Sequence, residues 1–142
     1  MSIEARPKMP VAQIVFGEIV YWITVLSCLI CTVGPLLSIA FPDNNVMNPH
    51  YLFASIWKGN SSDVVWKEVG GAFPGGHFYF DHLTKGDGFT QFGLALGCSV
   101  ALWGLIGTAI AYFRERVYLY VVLSLWVGAL VALAMVGIVG LH

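Results

Sequence analysis

The sequence predicts an all-α integral membrane protein with three transmembrane helices, the second and third an antiparallel hairpin, and a long outer loop carrying short interfacial helices. Three observations lead there. Of 142 residues, 58% are hydrophobic and only 11% charged, under half of the roughly 25% charge of an average soluble chain. Three apolar stretches, about residues 11–41, 89–113 and 117–141, are long enough against the roughly 20 residues an α-helix needs to cross a hydrocarbon core of about 30 Å. The charged side chains gather in the tail, in residues 42–88 and in one tight turn. With no internal repeat, low-complexity tract or flexible linker, residues 1–142 read as a single membrane unit.

The first span is the longest. At about 1.5 Å rise per residue it reaches on the order of 46 Å, so it must tilt, kink or begin at the interface. Gly34-Pro35 is a natural kink point, because Pro35 has no N–H to give the preceding turn. Arg6 and Lys8, the apolar run and Ser38-Ile39-Ala40 also imitate a secretory signal. The apolar run exceeds an ordinary signal core, so the segment reads as a retained span.

Residues 42–88 are too many for a mere connection and too few to fill a core of their own. Asn48-Pro49 reads as an N-cap followed by proline at the first helical position, with Gly59 as the left-handed stop. On that helix Leu52, Phe53, Ile56 and Trp57 share a side, suited to a membrane interface or a partner. A second short helix spans about residues 62–69, ended by Gly70-Gly71. Beyond it, Phe73-Pro74-Gly75-Gly76-His77-Phe78-Tyr79-Phe80-Asp81-His82 mixes turn residues with aromatics, and Gly86-Asp87-Gly88 leads into the second span, with Asp87 as a candidate cap.

Orientation follows from the basic residues, which are in excess in cytoplasmic loops. Arg6 and Lys8 precede the first span, and Arg114 and Arg116 flank Glu115 in the turn between the second and third. The 42–88 segment sets Lys58, Lys67 and Lys85 against Asp43, Asp63, Glu68, Asp81 and Asp87. This places the N-terminus in the cytoplasm and the long loop and C-terminus outside, in a bacterial or archaeal plasma membrane.

The second span carries Gly93 and Gly97 as a G-x-x-x-G, and Gly97, Ala101, Gly104, Thr108 and Ala111 continue at steps of four and three, the seam of a helix pair. On the third, Ser124, Gly128 and Ala132 recur every four residues. Joined by the Arg-Glu-Arg turn, these two spans should pair, leaving Leu94, Trp103, Leu105, Trp126 and Met135 for lipid or other subunits.

Few residues suggest chemistry. Cys28-Leu29-Ile30-Cys31 is followed by Thr32, which excludes c-type haem attachment, and with Cys98 it offers three thiols at most. These cysteines read as small packing residues. Glu18 is the only ionisable side chain within the first apolar run. At the headgroups it would be structural, and deeper it would serve a proton, a quinone or a partner's polar group. His50, His77, His82 and His142 all fall on the outer side and none mid-span, which argues against a self-sufficient transmembrane cytochrome b. His77, Asp81 and His82 could approach a haem, metal or quinone completed by other chains, or be interfacial polar residues in an aromatic loop. Asn60-Ser61-Ser62 matches the glycosylation acceptor pattern.

A net charge of −1 excludes a nucleic-acid binder driven by a basic surface, and the nucleotide-binding, hydrolase and zinc-protease motifs are missing. Three functions fit what is left. The first is an accessory, structural subunit of a multi-subunit membrane complex, such as a respiratory or other electron-transfer assembly, non-catalytic on its own and holding no cofactor alone. The second is a contributor to an outer-side haem, metal or quinone site. The third is a small proton or ion transporter subunit using Glu18, against which stands the scarcity of polar residues in the spans.

Overall fold

The computed structural model describes residues 9–72, 75 and 77–136. Arg6, Lys8, Phe73, Pro74, Gly76, His142 and the last part of the third apolar stretch, 137–141, lie outside the described residues. Among the described residues there are helices and no strands. The helices are α1 (Val11–Ala40), α2 (Pro49–Trp57), α3 (Ser62–Val69), α4 (Gly86–Cys98), α5 (Val100–Arg114) and α6 (Tyr118–Val136), with one 3-10 turn at Phe78–Phe80.

Among the described residues the chain is all-α, with two helices long and apolar enough to cross a membrane, α1 and α6. A third candidate span is the pair α4 and α5, interrupted at Ser99 where the sequence predicts one continuous helix. Helix α1 continues through Pro35, which has no N–H to give to the preceding turn. Only 11% of the most apolar stretch of α1, and the same share of α6, is buried. A helix apolar on all sides and left uncovered has its proper surroundings in lipid or in other helices.

The chain divides into two compact units. One contains residues 25–97. In it the second half of α1 runs antiparallel to α4 along small side chains: Ser27 lies against Gly97, Ile30 and Cys31 against Gly93, Gly34 against Thr90, and Ser38 against Gly86. Added methyl groups would stand 2.5 Å from the Ser27 hydroxyl at position 97 and 2.6 Å from Ile30 at position 93. The partner of Gly93 and Gly97 is therefore α1, not the third span with which the sequence reading paired the stripe. Helices α2 and α3 form a small hairpin in the same unit, its buried residues Ser55 and Val65.

The other unit contains residues 1–24 and 98–142. The first half of α1 lies antiparallel to α5, with Phe16 and Val20 over Gly104 and with Val15 and Ile19 over Gly107. Helix α6 returns beside α5 after Arg116, whose φ of 60° makes the sharp turn. Gly128 faces Leu102 and Leu105 at ordinary contact distance, and Ser124 and Ala132 line one cavity with Leu102, Leu105 and Ile106. Ala101 is half-buried on α5. Tyr112 stacks on Tyr120, and Phe113 meets Tyr118 edge-on, around the Arg114-Glu115-Arg116 turn.

Candidate functional site

The densest polar structure lies where α1 ends and α4 begins. Asn45, only 8% exposed, uses its whole side chain. Its Nδ2 donates to the backbone carbonyls of Ser38, Phe41 and Pro42 at 3.0, 3.2 and 3.1 Å. Its Oδ1 accepts from the Ser38 hydroxyl at 2.8 Å and from the Asp87 backbone N–H at 3.2 Å. Asn45 thereby takes up the Ser38 carbonyl, which the last turn of α1 leaves without an intrahelical partner, and two carbonyls of the turn that follows.

Asp87 answers from the other strand of chain. Its Oδ2 accepts the backbone N–H groups of Val46 and Met47 at 2.8 and 2.9 Å, and its Oδ1 that of Gly88 at 2.8 Å. The sequence reading made it a cap for its own helix, and it caps the incoming 46–47 backbone as well. The flanking glycines are required by this closeness. A methyl on Gly86 would stand 2.7 Å from the Ser38 nitrogen, and one on Gly88 would overlap the His82 carbonyl. Asn44 closes the same junction by donating from Nδ2 to Thr84 O at 3.1 Å and accepting at its backbone carbonyl from the Gly86 N–H at 3.2 Å.

A second polar cluster ties α2 to α3. The Ser55 hydroxyl donates to Glu68 Oε2 at 3.1 Å, and Asn60 Nδ2 donates to Ser55 Oγ at 2.9 Å and to the same carboxylate oxygen at 3.2 Å. The nitrogen to which a sugar would attach at Asn60-Ser61-Ser62 is thus the donor that holds this hairpin. Asn48 caps α2 as the sequence predicts, accepting from His50 N at 3.1 Å, and Gly59 takes φ of 77° at its end. The outward side of α2 is left bare: Trp57 is 86% exposed, and Tyr51, Phe53 and Ile56 are exposed too.

The histidine segment is built around the 3-10 turn. His77 is exposed, its ring stacked 6.4 Å from that of Phe80. Asp81 is exposed, and its backbone N–H closes the turn on Phe78 O. The half-buried His82 sets Nδ1 3.1 Å from Phe78 O. A carbonyl only accepts, so Nδ1 carries the proton and Nε2 is the free ring nitrogen. Tyr79 is buried and packs toward Phe92 of α4. His50 is exposed on α2. Among the described residues no group of three or more His, Cys, Asp or Glu side chains is arranged to hold a metal ion.

Glu18 is exposed on α1 and accepts the Trp22 indole N–H at 3.2 Å, one helical turn on. Tyr21, exposed beside it, meets the Trp22 ring edge-on at 5.4 Å. Glu18 therefore stands on an uncovered side of the helix with two aromatic neighbours. Cys28 and Cys98 are exposed and Cys31 half-buried, all three as free thiols.

Asn45, Ser27 and the Ser55–Asn60–Glu68 cluster are not among the sites read from the sequence. Ser27, buried, donates to Gly93 O at 2.8 Å, a bond between α1 and α4. Its signal was a lone serine in an apolar run, which only the partner helix's G-x-x-x-G could have made meaningful. The signal for Asn45 was the Asp43-Asn44-Asn45 run directly after a long helix, a cluster of turn residues with carbonyls nearby to satisfy.

These features define an all-α protein with two to three candidate membrane-spanning helices. A protein-family model matches residues 12–138, and the chain belongs to the family that model describes. It is similar to an uncharacterized protein of Archaeoglobus fulgidus, 25% identical over 116 residues, which are 80% of this chain and 75% of that one. No solved structure matches the chain.

Proposed function

We propose that the chain is an accessory, structural subunit of a larger integral-membrane assembly, with a respiratory or other electron-transfer complex as its setting. The observation that carries the reading is Glu18. An acid hydrogen-bonded to Trp22 on an exposed side of a long apolar helix is costly against lipid, so a polar group of a neighbouring subunit is its natural counterpart. The bare flanks of α1 and α6 and the apolar side of α2 support the same role.

In this reading three spans cross the membrane, α1, the broken pair α4–α5, and α6, the last two as an antiparallel hairpin. Val11 at the start of α1 and Arg114 and Glu115 at the end of α5 line one groove, which supports the N-terminal tail and the Arg-Glu-Arg turn sharing a side. That side is the cytoplasmic one by its basic residues. The 42–88 loop and the C-terminus are then outside, in the plasma membrane of a bacterium or archaeon. The clasp of Asn45 and Asp87 would hold the loop as a rigid platform for a partner's outer face.

Native purification in mild detergent, with identification of the accompanying chains, tests this. Other integral-membrane subunits in fixed stoichiometry support it, and a stable, active homo-oligomer free of other chains overturns it.

One observation favours a second reading, in which the loop contributes to a haem, metal or quinone site completed by other chains. The Phe78 carbonyl orients His82 as carbonyls commonly orient histidine ligands, with Nε2 left to bind, and His77 and Asp81 lie in the same segment. Replacing His82 by Ala would then remove a cofactor absorption band or bound metal from the assembled complex, while the accessory reading leaves the spectrum unchanged.

A further inference from the structure

Within the unit formed by residues 1–24 and 98–142, α1 turns one side to α5 through Val15, Phe16, Ile19 and Val20. Another side is open. Ile14, Gly17, Glu18, Tyr21 and Trp22 recur on it at steps of three and four, and all of them are exposed. Nothing lies within 4 Å of a Cβ added at Gly17, so the backbone beside Glu18 can be approached closely, as small residues allow between membrane helices. With α1 centred on a hydrocarbon core of about 30 Å, Glu18 lies about 11 Å from the midplane, inside the core.

The acid on this stripe is half satisfied. Glu18 Oε2 accepts the Trp22 indole N–H at 3.2 Å, and Oε1 has no partner among the described residues. The Tyr21 and Trp22 rings stand beside it at 80° to each other, 60% and 63% exposed. This unit brings no cation to that level. Neither α1 nor α6 contains Lys or Arg, and the one basic residue of α5, Arg114, is its last. Arg114 lines a groove with Val11, about 10 Å along α1 from Glu18. An ionised carboxylate at this depth needs a counter-charge, and a hydroxyl or amide brings a hydrogen bond without one. The negative faces of the two rings favour a cation further. A lipid ammonium arrives with its own phosphate already compensating it. We infer that this stripe seats a membrane helix of a partner subunit that brings a basic side chain, arginine or lysine, to Glu18 Oε1. The cation sits beside Tyr21 and Trp22, and the partner's backbone approaches Gly17. This rests on the accessory reading and names the group which that reading requires.

The test purifies the full chain from its native membrane in mild detergent and measures the integral-membrane subunits retained per chain. Glu18→Gln keeps the size and the acceptor for Trp22 but removes the charge. It should lower retention about tenfold, because the partner's desolvated cation is left unpaired. Glu18→Asp, which keeps the charge, should retain several-fold more than Glu18→Gln. Gly17→Leu adds bulk beside the carboxylate without touching it and should also lower retention. Both positions are exposed and Gly17 touches nothing else in the fold, so these variants keep the chain's own structure. Subunits retained equally by Glu18→Gln and the unaltered chain would mean a neutral group at Glu18, and would overturn the inference while the accessory role stands. Loss with Glu18→Gln but not with Gly17→Leu, made good by added phosphatidylethanolamine, would assign the cation to lipid and overturn it too. If the unaltered chain retains no other subunit, the accessory reading itself fails, and this inference with it.

Discussion

Asn45 holds the backbone of Asp87, and Asp87 holds the backbone of the two residues after Asn45. The Asn45 side-chain oxygen accepts the Asp87 N–H at 3.2 Å, while the Asp87 carboxylate accepts the N–H groups of the two residues that follow Asn45, at 2.8 and 2.9 Å. Each side chain pairs backbone donors or acceptors that a helix end or a turn leaves open, which ties the segment after α1 to the start of α4.

Loss of the carboxylate should therefore loosen this junction. Asp87→Ala strands the Val46 and Met47 amides and should destabilise by on the order of 2–3 kcal/mol, since each bond to a charged group is worth about 1.5 kcal/mol at the low end that suits a part-buried carboxylate. Asp87→Asn, which keeps an acceptor oxygen, should lose less. Thermal unfolding in detergent, with limited proteolysis of residues 42–88 as the local readout, checks both. Equal stability of the three proteins would mean the clasp is incidental.

Two glycines should respond in opposite directions. A methyl at Gly88 meets the His82 backbone carbonyl, which cannot rotate away as a side-chain tip can, so Gly88→Ala should destabilise by about 1–3 kcal/mol as overpacking does. At Gly17 nothing lies within 4 Å of an added Cβ, and Gly17→Ala should leave stability unchanged or raise it by up to about 1 kcal/mol through helix propensity. Midpoint shifts of the same sign would contradict this placement of the two residues.

The α1–α4 contact offers a coupled pair. A methyl at Gly97 would stand 2.5 Å from Ser27 Oγ but 3.5 Å from Ser27 Cβ, so the obstruction is the hydroxyl alone. Gly97→Ala should destabilise by about 1–3 kcal/mol, and Ser27→Ala by about 1 kcal/mol through its lost bond to Gly93 O. The double variant should be more stable than the sum of the two effects allows. A double-mutant cycle on unfolding midpoints measures the coupling, and strict additivity would remove the contact.

The helices themselves were legible because a span long enough to cross a bilayer leaves a long-range signal, runs of apolar residues with nearly all charges, Glu18 apart, at or beyond their ends. Asn48, Pro49 and Gly59 marked α2 correctly because capping and left-handed turns are local and need particular residue types. Packing partners were not legible. Gly93 and Gly97 show that α4 meets something closely, yet small residues carry no address, and their partner proved to be Ser27 and Ile30 on α1. The break at Ser99 had no marker either, since Cys98-Ser99 contains neither glycine nor proline. Asp87 announced a cap by its place between glycines, but its real targets, Val46 and Met47, are some forty positions away, and Asn45 could not be weighed without them. Glu18 stood out in the sequence as an acid in an apolar run. Only its exposure and its bond to Trp22 turned that oddity into an argument about neighbours.

On the proposed reading, the Glu18–Trp22 side of α1 faces another subunit in the native membrane. The direct measurement replaces Trp22 with a benzophenone amino acid and irradiates intact membranes. The account predicts a defined cross-linked product containing this chain and a different integral-membrane protein, weakened by Glu18→Leu. Adducts only to lipid, or only to a second copy of this chain, would contradict it.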